Sequence, residues 1–350
     1  RSKQKKHLER GVRFLKVSSL QKLLRKKNMC SDLRLDALSL VKDKETSHIL
    51  HVGTTGSGKT NAFHTLAPQI RARGDRAVVV DLSGDFVAKY YRPGIDIIIN
   101  PFDERSHDWN PWGECLCETH YDALAAAIVP KDNRLDSFWS EAGKTVLSSA
   151  MIKLKDTDQA HIEDLYHLLV LEDFAKFSAF FAGTEAASHT HKDGERMTIS
   201  IRATLNNNIR FLKHLGRSEK SFSMRKWIED DTSTSWVFLT ARADQRDTLR
   251  PLISGILDTG INALMSQKPD PNRRVWFMGD ELPALHKLPS LEPGLAELRK
   301  YGGCIMAGIQ GLSQLETIYG QQQSRTILGL FNTKVFFRSI DPQTTQWISQ

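Results

Sequence analysis

The sequence predicts an α/β protein: a mostly parallel central sheet flanked by helices, interrupted by an all-α insertion. Three observations carry that expectation. A strand-like run at residues 48–52 leads into Gly53-Thr54-Thr55-Gly56-Ser57-Gly58-Lys59-Thr60 and then into a helical period. Continuous apolar runs at 77–81 and 95–100 read as strands of the buried parallel type, and further strands are read at 235–240, 274–279, 302–309 and 333–338 with helical stretches between them. From about residue 115 to 221 strand signals are absent and helical periods dominate.

Residues 1–30 carry eleven Lys/Arg and one acid, Glu9, a net of +10 in a chain of +7, so residues 31–350 sum to −3. The basic character therefore belongs to an N-terminal stub. It reads either as a solvated, partly helical arm or as a segment lying against phosphates of nucleic acid or of an anionic membrane surface. Lys/Arg clusters also flank membrane spans on their cytoplasmic side, and the chain begins at Arg1 without an initiator Met. A membrane segment upstream is therefore expected. Ser18 and Gln21 have capping-box spacing for a short helix. The leucines of 32–41 predict two small strands leading to the loop strand. The helix after Thr60 should run to Gly74, with Pro68 kinking or shortening it. Strand, helix and strand through 81 make a βαβ unit. The segment 101–114, with Pro101 and Pro111, is loop-like. Helices are expected near 247–266, 291–301 and 311–332. The resulting division is a stub at 1–30, a nucleotide-binding domain at 31–114 and 222–350, and an inserted all-α domain at 115–221.

Length and composition set the outer limits. A chain of 350 residues suits roughly two domains with ample core. No run approaches the roughly 18 apolar residues that span a bilayer. Cys115 and Cys117 form C-x-C without the second pair a zinc site needs, so Cys30, Cys115, Cys117 and Cys304 read as reduced thiols in a cytosolic compartment.

The chemistry starts at residues 53–60, which satisfy G-x-x-x-x-G-K-[ST] with the required strand before and helix after. Gly53, Gly56 and Gly58 are expected to take positive φ and turn successive backbone N–H groups inward around an anion. Lys59 supplies charge to the β- and γ-phosphates and the Thr60 hydroxyl ligates Mg²⁺. The next helix adds the positive end of its dipole. A second half is needed for hydrolysis, and the apolar run 274–279 ends in Asp280-Glu281. Asp280 can hold Mg²⁺ through water and Glu281 can orient or deprotonate an attacking water. Unpaired carboxylates at the end of a buried strand are costly, which favours the functional reading. Gly279, where a bulky apolar residue is usual, is read as leaving room for a neighbour.

Gln310 comes just after another predicted strand and should project from the same carboxyl edge, where ligands of open α/β sheets bind. It reads as a sensor of the γ-phosphate or as a cap of the next helix. Arg299, eleven residues earlier, would lie away from its own phosphates but could reach those of a neighbouring subunit. Exposed Arg325 and Arg338 weaken that choice on physical grounds alone.

Taken together, HILHVGTTGSGKT, VVVDLSGDF, IIINPFDERSHDWNPWGE, WFMGDELPALHKL and RKYGGCIMAGIQGLSQLETIYG closely resemble the coupling proteins of type IV secretion and conjugation, the TraD and TrwB kind, over nearly the whole chain from about residue 31. The resemblance implies a RecA-like ATPase domain with an all-α insertion, assembled as a homo-hexamer on the cytoplasmic face of the bacterial inner membrane through an N-terminal region missing here. It implies ATP and Mg²⁺ as cofactors. It also implies a relaxase–single-stranded DNA complex as cargo and the secretion channel components as partners. By resemblance Lys59 and Thr60 bind phosphate and Mg²⁺, Asp280 and Glu281 are the metal and water acids, Gln310 couples, and Arg299 is a finger acting in trans. The chain stops at Gln350, short of the family's last strands.

Two rivals share parts of this pattern: a double-stranded DNA motor of the FtsK/HerA kind, and a non-motor adaptor that nucleotide locks as a docking platform for secreted proteins. A small-molecule phosphotransferase is disfavoured, because no substrate lid is evident. Other constellations carry less. His189 and His191 read as part of a polar loop, lacking a third ligand. Asp81 and Asp85 read as closing their loop and ordering water. Arg202, Arg210, Lys213 and Arg217 read as a solvated helix face, with a pore or substrate contact as the alternative.

Overall fold

The computed structural model describes residues 15–131, 137–157, 160–191, 194–339 and 341–349. The first fourteen residues of the basic stub lie outside that set.

Strands β1 (Cys30–Leu35) and β2 (Leu38–Val41) form the expected pair, an antiparallel hairpin separate from the main sheet. The main sheet is built from β3 (Ile49–Val52), β4 (Arg76–Asp81) and β5 (Ile97–Ile99), then, after β6 (Asp108–Trp109) and β7 (Ser221–Phe222), from β8 (Trp236–Thr240), β9 (Val275–Gly279), β10 (Gly303–Ile309) and β11 (Thr333–Phe336). Its order is β11-β3-β10-β9-β4-β8-β5, and every described pairing in it is parallel. Successive strand residues face opposite sides. Ala77, Val79, Phe238, Trp276 and Met306 pack on one side beneath the helix Lys59–Ala72. Val78, Val80, Leu239, Phe277 and Ala307 pack on the other, against the helix Arg246–Met265 and the helices of 118–209. Burial on both sides explains why these strands read as unbroken apolar runs.

Residues 118–214 contain only helical elements among those described, including Glu118–Ile128, Ser137–Lys155, Phe174–Phe181 and Glu195–Ile209. Their core is continuous with one face of the sheet. The chain enters and leaves this stretch through β6 and β7, a short parallel pair that no sequence signal announces.

Several local expectations are corrected. Lys16, not Ser18, caps the first helix, Val17–Lys26, and it makes no side-chain cap bond. Gln21 instead reaches the hairpin, accepting from Ser39 N at 2.9 Å. Pro68 neither ends nor shortens its helix, which runs to Ala72. The carbonyl four residues earlier, His64 O, loses its helical donor to the proline ring and accepts the Tyr90 hydroxyl at 3.2 Å. The helix expected over 311–332 is two, Leu312–Tyr319 and Gln321–Leu330, split at Gly320 with φ 79°. Strand 95–100 shrinks to Ile97–Ile99, because the Ile95 and Asp96 N–H groups donate to Arg92 O in a turn and Trp236 N of β8 donates to the Asp96 side chain. No helix among the described residues is long and apolar enough to cross a membrane.

Candidate nucleotide site

Three neighbouring strands bring the candidate residues together. β10 pairs with β3 on one side and β9 on the other, in registers that set Ile309 opposite Val52 and Ala307 opposite Gly279. Gly53, Gln310 and Asp280 therefore leave adjacent strands at nearly one level of the carboxyl edge. Gly53 N donates to Ile309 O at 3.1 Å, fastening the loop to β10.

The loop uses its glycines in two ways. Gly56 and Gly58 take positive φ, 74° and 101°, as expected. Gly53 does not, and its role is close approach. A Cβ there would stand 2.6 Å from Phe337 Cβ and 2.6 Å from Ser57 Oγ. The loop is braced from the far side by the segment after β11, where Arg338 O accepts from Thr54 N at 3.0 Å and from Thr54 Oγ1 at 3.1 Å.

Across the loop stand the two acids. Thr60 Oγ1 donates to Asp280 Oδ2. Lys59 Nζ lies 3.8 Å from Asp280 Oδ1 and 3.6 Å from Glu281 Oε2. Gln310 Nε2 donates to Glu281 Oε2 at 2.5 Å, and Thr55 Oγ1 donates to Gln310 Oε1 at 3.3 Å. These groups enclose a cleft of about 290 Å³. Lys59 is 6% exposed, so its charge acts in a partly dry setting, where electrostatic attraction is stronger than in water.

Two buried atoms of the cleft's framework, Ser57 Oγ and Asp280 Oδ1, have no hydrogen-bond partner. Leaving them unpaired is costly, and a polar ligand in the cleft would relieve that cost. The donor set suits a magnesium-bound polyphosphate: N–H groups and a lysine for phosphate, and a hydroxyl and a carboxylate, both hard oxygens, for Mg²⁺. Behind the loop, His51 is fully buried with both ring nitrogens unpartnered. Burial, and then the Lys59 charge, push its pKa down to about 3, so it stays neutral.

Some expectations fall elsewhere. Arg299 is exposed in the turn Leu298–Tyr301 at the amino end of β10, on the opposite edge from Gln310. The cleft formed by one chain does not include it. A Cβ on Gly279 would meet only Val80 Cβ at an ordinary 3.8 Å, so no neighbour needs that space. The glycine that does matter, Gly308, was missed. A Cβ there would lie 2.0 Å from Asp280 O, so only glycine lets the Asp280 turn cross β10. A glycine inside an apolar strand, as in AGIQG, is the sequence signal that could have found it. Asp81 closes its loop by accepting from Ser83 N, Gly84 N and Val87 N. Arg202 turns inward, donating to Leu169 O and lying over Phe177, which removes it from the solvated face.

The same chain is similar to known proteins in sequence and in fold. A family model for the type IV secretion-system coupling protein DNA-binding domain matches residues 32–350. The coupling protein TraD of Escherichia coli (strain K12) is 36% identical over 324 residues, an alignment covering 91% of this chain and 45% of TraD. The chain thus spans under half the length of that relative. The unbound bacterial conjugative coupling protein TrwBΔN70 superposes with a TM-score of 0.89 at 30% identity, covering 98% of this chain and 82% of that one. TrwB in complex with ADP and Mg²⁺ superposes with a TM-score of 0.87 at 31% identity, covering 97% and 81%.

Proposed function

With the premise that the chain belongs to the type IV secretion-system coupling protein family, we propose that it is the ATP-hydrolysing part of a machine that moves DNA during conjugation. The cargo is a relaxase–single-stranded DNA complex handed to the secretion channel, and the working form is a homo-hexameric ring held at the cytoplasmic face of the inner membrane. In this reading residues 31–114 and 222–350 are the ATPase unit, 115–221 the helical insertion, and 1–30 a basic arm beside the membrane. The observation that carries it is the placement of Lys59 and Thr60, after β3, against Asp280 and Glu281, after β9, two strands that flank β10. TrwB, the relative with bound ADP and Mg²⁺, supports the choice of cofactors.

The loop amides of residues 53–60 and Lys59 hold the phosphates. Thr60 and Asp280 hold Mg²⁺, which when bound neutralises charge on the phosphate oxygens. Glu281 accepts the proton of the attacking water. Gln310 holds Glu281 and links it to the helix Leu312–Tyr319, the route by which the state of the γ-phosphate leaves the site. Arg299 faces away from its own cleft, so it serves a neighbour's.

A finger supplied by a neighbour makes activity depend on assembly. ATPase rate per molecule should rise with protein concentration and further with single-stranded DNA, and Arg299→Ala should remove the rise while leaving nucleotide affinity unchanged. A rate per molecule independent of concentration and indifferent to Arg299→Ala would contradict the ring. Stronger stimulation by duplex than by single strands would replace the cargo with double-stranded DNA.

A further inference from the structure

We infer that Thr55 is a positioning residue that fixes the amide of Gln310, and through it the carboxylate of Glu281. The inference rests on the hydrolytic reading above. The phosphate-loop pattern prescribes Gly53, Gly58, Lys59 and Thr60 and leaves the residue at 55 free, so a threonine there answers to something other than the motif. The two consecutive threonines do different work. Thr54 fastens the loop outward to Arg338 O, whereas Thr55 reaches across the cleft to Gln310 Oε1.

The direction of the Gln310 amide is set by chemistry. The ionised Glu281 carboxylate only accepts hydrogen bonds, so the NH₂ end of the amide must face it. The carbonyl end then faces Thr55, whose hydroxyl donates. Glu281 Oε2 is thereby held by Gln310 Nε2 and by Lys59 at 3.6 Å. Without the Thr55 hydroxyl the amide keeps its bond to Glu281 but its carbonyl end loses this anchor on the phosphate loop. The Gln310 side chain can then swing about its one remaining bond, and Glu281 loses its fixed aim at the water. Because Thr55 sits on the phosphate loop, the aim of Glu281 also tracks the position of that loop.

The test is steady-state ATPase kinetics on the full chain, with nucleotide affinity read separately using a fluorescent ATP analogue. The proteins compared are wild type, Thr55→Val, Thr55→Ser, Gln310→Ala and the Thr55→Val/Gln310→Ala double variant. Losing an orienting hydrogen bond should lower kcat by about three- to tenfold in Thr55→Val with KM and analogue affinity within about twofold. Thr55→Ser should restore kcat, and the double variant should be no slower than Gln310→Ala. The inference is overturned by any of four results: Thr55→Val with wild-type kcat, a raised KM at unchanged kcat, Thr55→Ser as slow as Thr55→Val, or losses that multiply in the double variant. Wild-type protein that binds the analogue but hydrolyses no ATP overturns the hydrolytic reading itself.

Discussion

At the amino edge of the central sheet, Asp96 accepts from Arg71 Nη1 at 2.8 Å, Arg71 Nη2 at 2.9 Å, Arg92 N at 2.8 Å and Trp236 N at 2.9 Å. Nearby, the Arg76 guanidinium donates to Trp227 O, Asp230 O and Asp231 Oδ1. At the carboxyl edge Asp280 Oδ1 and Ser57 Oγ are buried with no hydrogen-bond partner, and Lys59 is shared between two acids at 3.6–3.8 Å. Two histidines of the loop-strand region repeat the contrast. His48, just before β3, spends both ring nitrogens on Leu295 O and Ile305 N, each at 3.0 Å, whereas those of His51 find nothing. The Asp96 carboxylate and the His48 ring have every hydrogen-bonding atom engaged by the chain itself, although Arg92 Nε and Glu45 Oε2 on the same edge are buried without a partner. At the cleft, Asp280 Oδ1 and Ser57 Oγ keep open valences beside Lys59, where a polar ligand would complete them.

The comparison can be broken at either edge. The largest effect is expected at the carboxyl edge. Glu281→Gln keeps shape and hydrogen bonding but cannot take a proton, so ATP hydrolysis should fall about a hundredfold or more while nucleotide affinity holds. Hydrolysis within a few-fold of wild type would remove Glu281 from the chemistry.

Next comes the amino edge. Asp96 is buried; burial pushes its pKa up, but Arg71 and the Trp236 and Arg92 amides outweigh that and hold it below the usual carboxylate range. Asp96→Ala leaves Arg71 without its counter-charge and should cost about 3 kcal/mol of stability in urea unfolding, with hydrolysis per folded molecule retained. Lost activity in protein that remains fully folded would show that the two edges are not separable in this way.

The smallest effect concerns His51. Its folded pKa is about 3 against an ordinary 6.5. The unfolded chain therefore binds a proton that the folded chain refuses, and this contribution to stability is complete above pH 6.5 and is lost as pH falls toward 3. His51→Phe fits between Phe63 and Phe337 and removes both unpaired nitrogens. It should be no less stable than wild type at pH 7, and its urea midpoint should fall less between pH 7 and 5, where each unit costs the wild type up to about 1.4 kcal/mol. A wild-type pH slope in the variant would mean that His51 is protonated in the folded state as readily as outside it.

How much was legible in the sequence depends on the reach of each signal. Strands buried on both faces announce themselves as apolar runs, and the loop at 53–60 and the acids at 280–281 are each contiguous, so the sheet and both halves of the candidate site are legible. Local rules failed where a distant partner decided the outcome. The Tyr90 hydroxyl takes up the carbonyl that Pro68 frees in a helix expected to kink or shorten there, and the hairpin claims Gln21 from its capping box. Gly53 and Gly308 are glycines because other chain segments pass within 3 Å of where a Cβ would sit. The Thr55–Gln310 contact joins residues 255 positions apart, and no periodicity reports such a pairing.

Hydrolysis by this chain would require a magnesium-bound triphosphate held between the glycine loop and Asp280. The direct measurement is binding of a fluorescent ATP analogue, with and without Mg²⁺, to wild type, Lys59→Ala and Asp280→Ala. Mg²⁺ should tighten binding to wild type, Asp280→Ala should bind the analogue with no response to Mg²⁺, and Lys59→Ala should scarcely bind it. Both variants binding like wild type, with the Mg²⁺ response intact, would contradict the account.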